Sequence, residues 1–182
     1  MCRTRSAFTL VEVLMVVVII GIAAAVVVPQ MSTRDDLKAI AAGRAVMSDL
    51  IYAQNMAITC QIHHYLVFNT TTQSYSVVSS ADMATPITNP VNQSPYTVQF
   101  GNTGSGGLRN MSIDSANFQG SNATVYSTIG FDELGTPVVY TGSGADQPIS
   151  TGAIAVRSGN YKLQITIQPY TGQLSAAQVP YP

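Results

Sequence analysis

Residues Phe8 to Val28 form an apolar run of 21 residues broken by one ionisable side chain, Glu12. A helix over that run is about 31 Å long, which matches the hydrocarbon core of a bilayer. Fifteen large apolar side chains at roughly −0.4 kcal/mol each outweigh one acid at about +3 kcal/mol, so the run can insert despite its carboxylate. An acid in such a segment is still expensive and calls for a partner. The placement predicts a subunit parked in a membrane and built to be assembled, and it weighs against an enzyme.

Three readings compete for residues 1–30. One is a plain transmembrane anchor. Another is a secretory signal peptide cut after the small residues Ala23, Ala24 and Ala25. The third is a short leader removed before Phe8, leaving the apolar helix on the mature chain. Glu12 favours the third, because an anchor or a signal peptide gains nothing from an acid. A cut between Ala7 and Phe8 frees an α-amine four residues from Glu12, about 6 Å along a helix. An ammonium and a carboxylate near a membrane edge can neutralise each other, within one chain or between neighbours. Orientation follows from the flanks: Arg3 and Arg5 precede the run, whereas Arg34 and Lys38 after it are matched by Asp35 and Asp36. The positive-inside rule leaves the N-terminus cytoplasmic and the bulk of the chain outside.

The stretch Ala7-Phe8-Thr9-Leu10-Val11-Glu12-Val13-Leu14 resembles the processing and N-methylation motif of type IV prepilins and pseudopilins. The resemblance implies cleavage between Ala7 and Phe8 by a prepilin peptidase and N-methyltransferase, methylation of the Phe8 amine, and a bacterial inner-membrane location. It implies that Glu12 contacts the Phe8 amine of the preceding subunit during assembly. The other implied partners are further pilin or pseudopilin subunits, an inner-membrane assembly platform and membrane lipid. Gly21 and Pro29 match the family's helix-softening positions. Ala7 departs from the Gly that the family strongly favours before the cut.

The expected fold class is α+β and pilin-like: a long kinked N-terminal helix, transmembrane in its first half, packed on a C-terminal antiparallel β-rich head. The domain boundaries are a leader over 1–7, a membrane or filament-core helix over 8–28, an amphipathic half over 29–60 and a periplasmic head over 61–182. Ser32 or Thr33 can cap the second half, with Asp35 and Asp36 near its positive end. Leu37, Ile40, Ala41, Met47, Leu50, Ile51, Ala57 and Ile58 recur at spacings of three and four and predict the stripe that lies on a sheet. Pro29 is expected to bend, without ending, one helix from Phe8 to Thr59.

Beyond Cys60 the period changes. Strands are expected over 61–68, 75–78, 96–100, 124–129, 137–140, 153–157 and 161–168, with a tight hairpin at Ser158-Gly159-Asn160. The stretches 81–95 and 101–107 read as surface loops. The head resembles the minor pseudopilins of the GspH/FimT type, in Tyr52 to Ile58, in Ile129 to Gly135 and in the closing Tyr170 to Leu174. That resemblance implies a structural minor subunit of a type II secretion pseudopilus or type IV pilus. Alternatives are a major pilin, or a DNA-binding or adhesive minor pilin in DNA uptake.

Only 9% of residues are charged, well below the roughly 25% of an average soluble domain. Arg109, Arg157 and Lys162 are the only cations of the 61–182 segment, scattered in a net acidic chain, which weighs against nucleic acid. Cys60 reads as a small buried apolar residue. His63 and His64, as strand neighbours, point to opposite faces and complete no metal site. Asp132 and Glu133 before Gly135 read as a solvated turn, not a calcium loop. Four Asn-x-Ser/Thr triplets, starting at Asn69, Asn92, Asn110 and Asn122, follow from the polar composition. No nucleophile elbow, phosphate loop or acid–base pair stands out, and no cofactor is expected.

Overall fold

The computed structural model describes residues 8–31, 35–101, 108–142 and 145–180, and the side chains of the first helix as far as Ala24. The chain divides into two units, one holding the first helix and one running from Asp35 onward. Helix α1 (Leu10–Met31) is apolar on all sides and passes through both Gly21 and Pro29. Helix α2 (Asp35–Cys60) opens on Asp35 and Asp36, whose charge suits the positive helix end. The expected bent helix over Phe8–Thr59 is described on either side of residues 32–34, as α1 and α2; the junction between them lies outside the described residues. The expected caps Ser32 and Thr33 lie outside the described residues. Among the described residues no helix is long and apolar enough to cross a membrane. The part of α1 that carries described side chains, Leu10–Ala24, rises only about 22 Å.

Among its described residues the second unit carries eleven antiparallel strands in two sheets. One sheet contains β1 (His64–Asn69), β2 (Ser74–Ser79), β3 (Thr97–Gln99), β6 (Thr128–Phe131), β7 (Pro137–Val139) and β8 (Gln147–Pro148), in the order β3-β2-β1-β6-β7-β8. The other contains β4 (Met111–Gln119), β5 (Val125–Tyr126), β9 (Thr151–Ser158), β10 (Tyr161–Ile167) and β11 (Leu174–Val179), in the order β11-β10-β9-β4-β5. The strand expected over 124–129 is split at Ser127. Tyr126 pairs with Phe118 in one sheet, whereas Thr128 pairs with Val67 in the other. The chain therefore changes sheets within three residues.

Helix α2 lies on both sheets, meeting β9 and β10 of one and β1 and β6 of the other. Its buried face is Ala39, Ala42, Gly43, Val46, Leu50, Ala53 and Ala57. That corrects the expected stripe, of which only Leu50 and Ala57 are buried; Leu37, Ile51 and Ile58 are 49%, 47% and 43% exposed. The reason is steric. A helix seated on two sheets approaches them closely, so Ala and Gly take most of its buried positions, beside Val46 and Leu50. At Gly43 an added Cβ would stand 2.3 Å from Leu163 Cδ2, so the large aliphatics are displaced to the outer side.

The core beneath α2 joins Leu66, Phe68 and Ile129 of one sheet to Phe118, Ile154 and Ile165 of the other. Each such side chain contributes about 1.5–3 kcal/mol on burial. Tyr65, Val78 and Val138 form a smaller cluster. Cys60, expected to be buried, is exposed on the last turn of α2, beyond the buried Ala57. In the loop 81–95 two isolated bridges, Ser79 with Asp82 and Thr88 with Pro95, hold the chain.

Candidate assembly site

The N-terminal motif folds into a helix start. Phe8 and Thr9 precede α1, and the backbone N–H of Glu12 donates to Thr9 Oγ1 at 3.2 Å and to Thr9 O at 3.1 Å. Thr9 is therefore the N-cap and Glu12 the third helical residue, the spacing of a capping box. Phe8, expected inside the helix, lies two residues outside it. A carboxylate in the first turn also faces the positive end of the helix dipole. This capping role of Thr9 was legible in Thr9-Leu10-Val11-Glu12 but hidden behind the membrane reading.

Phe8, Glu12, Val13, Val16 and Val17 line one shallow depression on the side of α1. Every described side chain from Phe8 to Ala24 is exposed, with Phe8 at 80%. Apolar surface of that extent marks an interaction with lipid or protein. Nothing lies within 4 Å of the position a Gly21 Cβ would take, so that side of α1 is open to a close neighbour. Pro29 sits two residues before the end of α1. Ala7 lies outside the described residues.

The second unit contains three polar clusters. In the first, Asp49 of α2 accepts hydrogen bonds from the Tyr75 hydroxyl at 2.6 Å and the Tyr96 hydroxyl at 2.9 Å. Burial raises the Asp49 pKa against the lowering effect of the two phenols, and burial beside Asp49 pushes the Tyr75 phenol well above its ordinary value. Tyr52 stacks on Tyr96 at 5.4 Å between centroids. These contacts fasten α2 to the six-stranded sheet.

In the second cluster His63 stands between two carboxylates, with Nδ1 2.8 Å from Asp146 Oδ2 and Nε2 3.2 Å from Glu133 Oε2. The Tyr65 hydroxyl donates to the same Asp146 oxygen at 2.6 Å. Burial disfavours charge on His63, but the Asp146 hydrogen bond and the Glu133 and Asp146 charges outweigh it and raise its pKa. His63 precedes β1, so the expected strand alternation with His64 does not apply. His64 is buried and its Nδ1 bonds the Ile62 carbonyl at 3.0 Å.

The turn at Asp132 and Glu133 is also more than a solvated bend. Asp132 Oδ1 accepts from the N–H groups of Leu134 at 3.0 Å and Thr136 at 2.7 Å, and Glu133 is the His63 partner. Among the described residues no group of three His, Cys, Asp or Glu could hold a metal ion.

In the third cluster Asp114 lies 2.6 Å from Lys162 Nζ and 3.7 Å from Arg157 Nε. Two of the three cations expected to be scattered thus converge on one acid. The cause is a bulge between Ile113 and Ser115 in the pairing of β4 with β9, which re-aims Asp114. Arg109 is exposed elsewhere.

The clusters of the second unit fasten structure, whereas the first turn of α1 presents a capped acid within uncovered apolar surface. Residues 2–28 match the prokaryotic N-terminal methylation motif. That match supports a type IV pilin or pseudopilin family, with processing by a prepilin peptidase and assembly with other pilin subunits. The methylation motif covers Phe8, Thr9 and Glu12, the residues that start α1. It covers none of the second unit. No curated protein and no solved structure matches the chain.

Proposed function

We propose that this chain is a minor pilin or pseudopilin of the GspH/FimT kind, a structural subunit of a type II secretion pseudopilus or a type IV pilus. The observation that carries this reading is α1: exposed apolar surface along its described length, with Glu12 in its capped first turn. Cleavage between Ala7 and Phe8 creates the Phe8 amine, which is then methylated. The segment Phe8–Val28 holds the subunit in the inner membrane, N-terminus cytoplasmic and head periplasmic. An assembly platform extracts it, exchanging lipid contacts for helix packing against other subunits. Small residues such as Gly21 allow that close approach, and Pro29 softens the helix toward its end.

Glu12 sets the axial register by pairing with the Phe8 ammonium of a neighbour. Such a pair tolerates loss of water only when both partners are present. The outward aliphatics Leu37, Ile51 and Ile58 of α2 offer a further surface for a neighbouring subunit. Mass spectrometry of the native N-terminus tests the reading: the expected mature chain begins at methylated Phe8. Recovery with Met1 still attached, or trimmed past Ala25, overturns it.

A further inference from the structure

The outward face of the five-stranded sheet departs from an ordinary solvated face. Water-facing strand positions favour Thr and other β-branched or long side chains, yet β9, the central strand, places Ala153 at an outward position, with Ala155 next along that face and covered by its neighbours at 3% exposed. Asn117 and Thr166 flank Ala153 in register, and Ser115 and Gln164 flank Ala155. An open groove of 430 Å³ lies over Ala153, lined also by Asn117, Gln119, Gln164, Thr166 and Gln168. That volume lies within the roughly 300–1,000 Å³ of small-molecule sites. Its polar side chains are all uncharged amides or hydroxyls. Among the described residues, the side-chain amides of Asn117, Gln164 and Gln168 have no hydrogen-bond partner in the protein.

An aromatic residue stands beside the groove. The adjoining depression contains Tyr170 and shares Ser150 and Pro169 with the groove. Tyr170 is 80% exposed at φ 69°, in a turn closed by bonds between Gln168 and Gln173 at 2.9 Å and between Gly172 and Gln168 at 3.0 Å. A bulky side chain in the left-handed region is strained, and such strain gathers at functional sites. Two local rules are therefore broken within one surface, which is where function is expected.

We propose that this groove binds a neutral saccharide. Each side-chain amide supplies donors and an acceptor in one plane, a match for adjacent sugar hydroxyls. The Tyr170 ring offers an apolar face, with a polar tip, to the C–H side of a pyranose. A charged ligand finds nothing in the groove to offset its loss of water; Arg157 and Lys162 lie beside Asp114, outside its lining. The inference does not rest on assembly into a filament.

The test is saturation-transfer NMR on the full chain in lipid nanodiscs, free of sugar detergents. Maltotetraose, cellotetraose and chitotetraose are the neutral probes and a heparin tetrasaccharide the charged one. Transfer to at least one neutral probe is expected. Tyr170→Gly, which suits the left-handed turn, and Ala153→Gln, which fills the floor, should each weaken binding about tenfold or more. No transfer to any neutral probe overturns the proposal. So does equal binding of the heparin fragment, or affinity unchanged in both variants.

Discussion

The Thr9 hydroxyl accepts a hydrogen bond from the backbone N–H of Glu12 at 3.2 Å, so the acid proposed to set register in a fibre is also part of a helix start. The two roles separate by mutation. Thr9→Ala removes the cap at about 1 kcal/mol and keeps the charge, so it should still enter filaments. Glu12→Gln keeps the backbone donor and loses the charge. It and Glu12→Ala should insert and be cleaved but incorporate poorly. Subunit content of sheared filaments, or a pull-down with other pilin subunits, measures this. Normal incorporation of Glu12→Gln would contradict the charge-pairing role.

The Asp49 carboxylate satisfies two phenols at once. Asp49→Ala leaves the buried Tyr75 hydroxyl without its acceptor and should destabilise the second unit by about 3 kcal/mol, whereas Tyr96→Phe should cost about 1 kcal/mol. Denaturant unfolding followed by circular dichroism gives both numbers. Equal costs would show that Tyr75 finds another acceptor.

His63 has its pKa raised above the ordinary value of 6.5, against burial, by Asp146 and Glu133. A raised folded pKa means that the folded state holds the proton more tightly. The stabilisation is then fully present below about pH 6.5, the unfolded value. It is lost as pH rises through the folded pKa. The melting temperature of wild type minus that of His63→Gln should be largest between about pH 5 and 6.5 and shrink at alkaline pH. A difference that grows with pH would reverse the assignment.

Tyr65 lies across Gly130 on the neighbouring strand. A Cβ at residue 130 would stand 2.2 Å from Tyr65 Cδ1 and 3.1 Å from the His64 carbonyl. Because the ring is rigid and Tyr65 is tied to Asp146, neither neighbour yields easily. Gly130→Ala should cost about 2 kcal/mol and lower the melting temperature by roughly 5 °C. Differential scanning calorimetry checks it, and an unchanged transition would show that the ring moves aside.

The N-terminal methylation motif was the most legible feature, because a lone acid in an apolar run has few physical explanations. The head was legible where alternation is regular, as in β1, β2, β9 and β10. Strand β4 escaped, though it is nine residues long. Its inward residues Met111 and Ile113 are followed by Ala116 and Phe118, and the bulge at Asp114 shifts the period by one. The buried face of α2 was misread for a different reason. Hydrophobicity ranks Ile above Ala, but the space between two sheets admits Ala and Gly first. The Asp49, His63 and Asp114 clusters join residues from distant strands, and no local spacing announces them.

The surface that shelters Gly43 is supplied by Leu163 and Ile165, near the opposite end of the chain. A ribosome releases α2 long before it releases those strands, so α2 must wait, with its small-residue face uncovered, until the closing hairpin arrives. Completion of the head is therefore bound to strands synthesised well after α2. Chains that stop before Tyr161 should present that bare helix to proteases and chaperones, so α2 reports whether the strands that cover it have been made.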